Sequence, residues 1–210
     1  MKLETLSAVK GEHNLKNYEE AYQTFKWEEA EQYFSWHSTG KVNIAFETID
    51  RHAESFRKNK VALIYRDASR LEKYTFKEMK DFSNKAGNVF KDYGVTKGDR
   101  VFVFMPRSPE LYFAFLGAIK LGAIVGPLFE AFMEGAVRDR LLDSSAKYLV
   151  TTPELLPRVP VDELPDLETI FIVGENVEEN GKYVDFNKKL AEASKNLEIE
   201  WVDREDGYIL

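Results

Sequence analysis

The chain contains no cysteine and only three histidines among its 210 residues. Without cysteine it can form no disulfide, no thiolate nucleophile and no cysteine-ligated metal site. His13, His37 and His52 all lie in the first quarter of the chain, and none has the His-x-x-x-His spacing that puts two imidazoles on one helix face. We therefore predict no metal site and assign no catalytic residue.

Positive charge is also in short supply, since 29 Lys and Arg face 36 Asp and Glu, for a net charge of −7. Nucleic-acid binding depends on basic side chains that neutralise phosphates, so nucleic acid is not an expected partner. The first twenty residues contain no continuous apolar segment of the kind found in secretory signals. Together with the lack of cysteine, this favours a reduced, cytoplasmic compartment.

Long apolar runs are scarce as well. The longest, residues 111–129, approaches the roughly 20 apolar residues that a membrane-spanning helix requires. Lys120, Pro127 and three glycines interrupt it. We interpret the run as a buried helix followed by a buried strand and predict no membrane association.

Two common phosphate-binding loops are missing. The spacing of Gly117, Gly122 and Gly126 does not match Gly-x-Gly-x-x-Gly, and no Gly-x-x-x-x-Gly-Lys-Ser/Thr occurs. Ser108 lacks the surroundings of a nucleophilic serine, and its place before Pro109 is typical of a helix N-cap. On its residues alone, the chain is a soluble α/β domain without a visible active site.

Strands and helices alternate from residue 60 onwards. Runs rich in apolar and β-branched residues predict strands at 61–65, 72–76, 100–105, 123–129, 147–152 and 168–173. Helical spacing predicts helices at 76–93, 109–121, 133–145 (with Met133, Val137 and Leu141 on one face) and 185–198, and a loop at 173–183. This alternation predicts an α/β fold: a doubly wound, mostly parallel sheet with helices on both faces.

The first 59 residues have a different character. They are rich in Glu, Lys, Tyr and Trp and predict a helical N-terminal lead-in, with five aromatic residues expected to pack against a neighbouring domain: Phe25, Trp27, Tyr33, Phe34 and Trp36. The predicted division is thus a lead-in at 1–59 and a first α/β subdomain at 60–210. At the other end, Asp206-Gly207 predicts a turn into a strand at 208–210, whose unpaired edge would favour self-association.

Several stretches, in order, resemble the front of the acyl-adenylate-forming enzymes, and among them the AMP-forming acetyl-CoA synthetases (acetate–CoA ligases). GKVNIAFETIDRH at 40–52 is similar to a family signature that ends in Asp-Arg-His, here Asp50-Arg51-His52. YTFKEM at 74–79, the run at 94–129 and RLLDSSAKYLVTT at 140–152 resemble the early core motifs of the superfamily. The similarity extends from about Trp36 to the end of the chain.

The resemblance implies an enzyme that uses ATP, Mg²⁺ and CoA to convert acetate first into acetyl-AMP and then into acetyl-CoA. In the family, the ATP phosphate loop and the adenylation lysine lie beyond the point matching Leu210. We therefore expect an incomplete N-terminal domain, truncated before the phosphate loop and inactive alone. Alternatives are a fragment of a medium-chain or other short-chain acyl-CoA synthetase, an acyl-AMP ligase that serves a carrier protein, and a non-catalytic α/β binding protein.

The resemblance also implies candidate coenzyme A contacts. A Phe-Gly-Gly segment beside the pantetheine arm matches Phe129, Glu130 and Ala131, so both glycines are replaced here. Arginines that the family places near the CoA nucleotide have one nearby counterpart, Arg158. The alternative interpretation makes Phe129 a core residue and Arg158 a surface charge.

Overall fold

The computed structural model describes Leu15 and residues 17–210, and a five-stranded parallel sheet forms its centre. Within those residues the sheet order is β5-β4-β6-β7-β8, and each neighbouring pair is parallel. The strands are β4 (Arg100–Phe104), β5 (Ile124–Leu128), β6 (Tyr148–Thr151), β7 (Thr169–Ile172) and β8 (Tyr183–Asp185). The expected parallel sheet is confirmed.

Helices cover both faces of this sheet: α5 (Phe76–Asp92), α6 (Pro109–Lys120), α7 (Glu134–Asp143) and α8 (Phe186–Glu192). In β4, Val101 and Val103 pack with α5, α6 and α8 in one apolar cluster, whereas Phe102 and Phe104 pack with α7 in a second one. Strands covered on both sides read as continuous apolar runs. The doubly wound arrangement is therefore confirmed.

The chain before the sheet forms short elements and one hairpin. They are α1 (Tyr18–Thr24), α2 (Trp27–Glu31), α3 (Trp36–Thr39), β1 (Lys41–Val42), a π-helix (Phe46–Asp50), α4 (Arg51–Ala53), and the antiparallel pair β2 (Val61–Arg66) and β3 (Leu71–Thr75). Strand β1 pairs with β9 (Val202–Asp203) near the end of the chain.

A buried side chain of the lead-in also contacts later parts of the chain. Asn43 donates its side-chain amide to the carbonyls of Ile119 (3.1 Å) and Glu200 (2.9 Å). The division at residue 59 stays a prediction.

The five aromatic residues of the lead-in differ in their exposure to solvent. The rings of Phe34 and Trp36 stack with centroids 4.2 Å apart and are half-buried. Phe25, Trp27 and Tyr33 are exposed in this chain.

Three details differ from the sequence prediction. The last helix ends at Glu192, because Asn84 and Asn88 of α5 bind the carbonyls of residues 194–196 and hold that segment in an extended path. Met133 precedes α7 and is 66% exposed, so only Val137 and Leu141 of the predicted face are buried. Strand β8 was missed, since its pairing with β7 is what makes residues 183–185 a strand.

The end of the chain adds itself to the sheet edge. Tyr208 O accepts from Val125 N (3.0 Å), and Leu210 N donates to Val125 O (3.0 Å), so these residues run parallel to β5. The predicted terminal strand is confirmed as a short bridge. Two residues further along β5, Pro127 has no N–H to offer a neighbouring strand, which limits pairing at this edge.

No helix in the described part of the chain is long and apolar enough to cross a membrane. The apolar run at 111–129 forms most of α6 and then β5.

The two sequence-predicted helix caps give a testable contrast. Thr75 accepts from Glu78 N, and Glu78 accepts from Thr75 N (2.8 Å), a complete capping box. Ser108 occupies the N-cap of α6, but its hydroxyl makes no cap hydrogen bond. We expect Thr75→Ala to lower the free energy of unfolding by about 1 kcal/mol. Ser108→Ala should leave it unchanged or raise it by up to about 1–3 kcal/mol, because the variant loses no hydrogen bond and removes a buried hydroxyl that has no partner.

Urea unfolding of the 210-residue chain, followed by circular dichroism, measures both variants under the same conditions. Equal losses for Thr75→Ala and Ser108→Ala would contradict the contrast.

Candidate functional site

The sheet reverses its winding between β4 and β6. From β4 the chain moves outward to β5 on one side, then returns to place β6 on the other side of β4. Open α/β sheets bind ligands in the crevice at such a switch point, outside the carboxyl ends of the strands. Those ends are followed here by Ser108 after β4 and by Thr152 after β6.

Three buried hydroxyls lie at this switch point. The side-chain oxygens of Ser108, Thr151 and Thr152 are shielded from solvent, and none has a hydrogen-bond partner among the described residues. A buried hydroxyl without a partner costs about 1–3 kcal/mol. Because such groups are rare in native proteins, their concentration at one point marks a place where a ligand or ordered water would complete the hydrogen bonds.

The loop after β5 lies at the same edge of the sheet and carries three predicted coenzyme contacts. Phe129 is 58% exposed, and Glu130 and Ala131 are exposed beside it. The interpretation of Phe129 as a core residue is therefore wrong. The core position in this loop belongs to the half-buried Phe132, whose ring lies 4.3 Å from the Arg140 guanidinium and packs with the α7 cluster.

Arg158 joins this loop to the segment that follows β6. It lies in a short 3-10 helix (Leu156–Arg158), and its Nη1 donates to Glu130 O at 2.9 Å and to Phe132 O at 3.5 Å. Arg158 is thus a bridge between two strand ends. The structure brings Phe129, Glu130, Ala131 and Arg158 together. A guanidinium has five N–H donors, so Arg158 has further donors that these two hydrogen bonds do not use.

The remaining residues at the strand ends offer no further candidate ligand contact. Arg107 is exposed. At Gly174, a Cβ would lie 2.9 Å from the Pro153 ring, so glycine is needed there for close packing of the chain and not for an approaching ligand.

The Asp-Arg-His stretch has a structural role. Asp50 is buried and accepts from Lys120 Nζ at 2.7 Å, and Lys120 also donates to Asn84 Oδ1 at 2.6 Å. Burial raises the pKa of Asp50 and lowers the pKa of Lys120, although each charge favours the ionised form of the other. Arg51 donates to Glu47 O at 2.7 Å, and His52 lies 5.0 Å from the Phe76 ring.

Sequence reasoning missed the Lys120–Asp50 pair. The available signal was the single lysine in a helix whose only other charged residue is Glu110, because a fully buried ammonium needs an anionic or polar partner. For metals, no group of three or more His, Asp or Glu side chains within Leu15 and residues 17–210 is placed to hold an ion.

Comparison with known proteins assigns this chain to a family. The model of the AMP-binding enzyme family matches residues 49–210. The chain belongs to this family. The chain is 64% identical to the acetyl-coenzyme A synthetase of Bacillus subtilis (strain 168), over 100% of this chain and 37% of the relative. It is 33% identical to the acetyl-coenzyme A synthetase of Campylobacter jejuni (strain 81-176), over 80% of this chain and 28% of the relative.

Solved structures agree with this assignment. An acyl-CoA synthetase from Brucella canis superposes with a TM-score of 0.81 at 28% identity, covering 91% of this chain and 35% of the other. The anthranilate CoA ligase AuaEII superposes with a TM-score of 0.73 at 30% identity, covering 81% and 32%. This chain therefore spans only 28–37% of the length of these relatives.

Proposed function

We propose that this chain forms the first α/β part of an AMP-forming acetate–CoA ligase. The observation that carries the proposal is the 64% identity to an acetyl-coenzyme A synthetase along the whole of this chain. We also propose a cytoplasmic location, where ATP and CoA are available and the lack of cysteine has no cost.

The proposed reaction has two halves. A carboxylate oxygen of acetate attacks the α-phosphorus of Mg-ATP, which releases pyrophosphate and gives acetyl-AMP. The thiol sulfur of CoA then attacks the acetyl carbonyl carbon, the bond from that carbon to the phosphate oxygen of AMP breaks, and AMP and the thiol proton are released. The charge that develops on phosphate needs well-placed donors and cations. We assign no ATP-binding or Mg²⁺-binding residue in this chain, because its sequence contains no phosphate-binding loop.

The residues at the switch point fit the neutral pantetheine arm of CoA better than its phosphates. Phe129 offers an exposed apolar surface, and the unpartnered hydroxyls of Ser108, Thr151 and Thr152 could pair with amide groups. Glu130 adds a negative charge to the loop, which disfavours a phosphate there. In the proposed site, Arg158 holds the loop through Nη1 and faces the CoA phosphates with its other donors.

The decisive experiment measures pyrophosphate release by the polypeptide encoded by the complete reading frame that contains this sequence. We expect release to require acetate and ATP, and acetyl-CoA to form when CoA is added. The 210-residue chain assayed in parallel should show neither. Propionate, butyrate and octanoate test the acyl alternatives, and a longer acid used in preference to acetate would overturn the acetate assignment.

Arg158→Ala is expected to raise the KM for CoA about ten- to a hundredfold, because a guanidinium that bonds the loop and the coenzyme contributes on the order of 1.5–3 kcal/mol. Acetate- and ATP-dependent pyrophosphate exchange, which needs no CoA, should stay within about twofold, since no acyl-AMP contact is removed. Arg138→Ala is the matched control, because Arg138 is a surface arginine paired with Asp139 and Glu163. An unchanged KM for CoA in Arg158→Ala would remove Arg158 from the site.

A further inference from the structure

Two exposed segments of this chain carry opposite charge. The first, the acidic arm, comprises residues 17–33 with helices α1 and α2; five glutamates and one lysine give it a net charge of −4. The second, the basic hairpin, comprises residues 56–73 with strands β2 and β3; six basic and two acidic residues give it a net charge of +4. The basic hairpin stands out in a chain whose net charge is −7.

Both segments also expose large apolar side chains. In the acidic arm, Tyr22, Trp27 and Tyr33 are 72–76% exposed, and Phe25 packs edge-on against Trp27 at 5.2 Å. Tyrosine and tryptophan are enriched among the side chains that anchor protein–protein interfaces.

The basic hairpin has the complementary composition. Phe56 is 79% exposed, with the Arg57 guanidinium 5.0 Å and the Lys60 ammonium 5.7 Å from its ring centre. On the outward face of the strands, Ile64 and its ladder partner Lys73 are exposed. Cations next to apolar side chains suit aromatic residues flanked by carboxylates, through cation–π and ion-pair contacts.

We propose that the acidic arm of one copy of this chain docks on the basic hairpin of a second copy. Their equal and opposite charges and their exposed apolar anchors argue for this occupant. If each copy lends its arm to the other, the contacts close into a two-fold dimer. Opposite charges at a solvent-exposed rim also make the association depend on salt, because the Debye length falls from about 30 Å at 0.01 M to about 10 Å at 0.1 M ionic strength.

Sedimentation velocity of the 210-residue chain at low and high salt tests the proposal. We expect a species of twice the 24.3 kDa monomer mass that grows with protein concentration and dissociates as salt is added. A mass of one chain at all concentrations and salts would overturn it, as would a dimer insensitive to salt. A dimer formed by the 210-residue chain but not by the polypeptide of the complete reading frame would show that the rest of that polypeptide covers these segments, and would also overturn it.

Charge reversal locates the interface. Glu28→Lys with Glu29→Lys reverses two side chains of the acidic arm and brings its net charge from −4 to 0, and Lys60→Glu with Lys73→Glu brings that of the basic hairpin from +4 to 0. All four side chains are exposed. Each double variant alone should raise the dissociation constant at least about tenfold, because the attraction between opposite net charges is lost in both contacts and the substituted side chains repel the like charges opposite them. A one-to-one mixture of the two should restore association to within about threefold of the unmodified chain, since one contact then keeps the original arm and hairpin and the other brings the new lysines to the new glutamates.

The matched control is Glu175→Lys with Glu178→Lys, which makes the same change of net charge on an exposed loop after β7. It should leave the dissociation constant within about twofold. If this control weakens the dimer as much as the arm variant, or if the mixture does not associate, the arm and hairpin are not the interface. None of these outcomes depends on ligase activity, so the result is independent of the proposed function.

Discussion

Replacing Lys120 by methionine should lower the free energy of unfolding by about 3–5 kcal/mol, because it leaves the carboxylate of Asp50 buried without its cation. Lys120 is fully buried, and its Nζ contacts Asp50 Oδ1 at 2.7 Å and Asn84 Oδ1 at 2.6 Å. Methionine keeps a similar volume, so the loss comes from the missing charge and not from a cavity. Urea unfolding at pH 7 measures it.

The double variant Lys120→Met with Asp50→Leu separates the charge from the packing. Replacing both members of a buried ion pair by apolar side chains is often neutral or stabilising. We therefore expect the double variant to recover most of the stability lost in Lys120→Met. A loss below about 1 kcal/mol in the single variant would show that water reaches Asp50 and that the pair is not truly buried.

Replacing Gly117 by alanine should destabilise the protein by about 1–3 kcal/mol, although alanine favours helices. A Cβ at this position would lie 2.7 Å from Ala86 Cβ, 2.8 Å from Gly87 N and 2.9 Å from Ser83 O. Two of these three atoms belong to the backbone of α5, which cannot move without shifting the whole helix. The lack of a side chain on Gly117 is what allows α5 and α6 to pack so closely.

Gly135→Ala is the matched control, because the same substitution in α7 meets no atom within 4 Å. There we expect a gain of about 0.5–1 kcal/mol from helix propensity alone. Thermal or urea unfolding of the two variants should move the midpoint in opposite directions. Midpoints that move together would contradict the close contact between α5 and α6.

Some features of the candidate functional site could be predicted from the sequence and others could not. Strand ends at Ser108 and at Thr151–Thr152 followed from the pattern of strands and helices, since ligands of parallel sheets bind at those ends. The missing partners of their hydroxyls did not, because a serine in N-cap position looks satisfied until its side chain is placed. Arg158 came from a family resemblance, but its bond to Glu130 O depends on how two loops meet.

The sequence by itself determined the parallel α/β architecture. Local features suffice for that: continuous apolar runs give covered strands, helical spacing gives amphipathic helices, and Thr75 with Glu78 begins α5 as a complete capping box. Only the tertiary structure decided which distant groups meet. Asp50 and Lys120 are 70 residues apart, and β8 is a strand because β7 lies beside it. Such contacts depend on the packing of whole elements, which residue spacing along the chain does not encode locally.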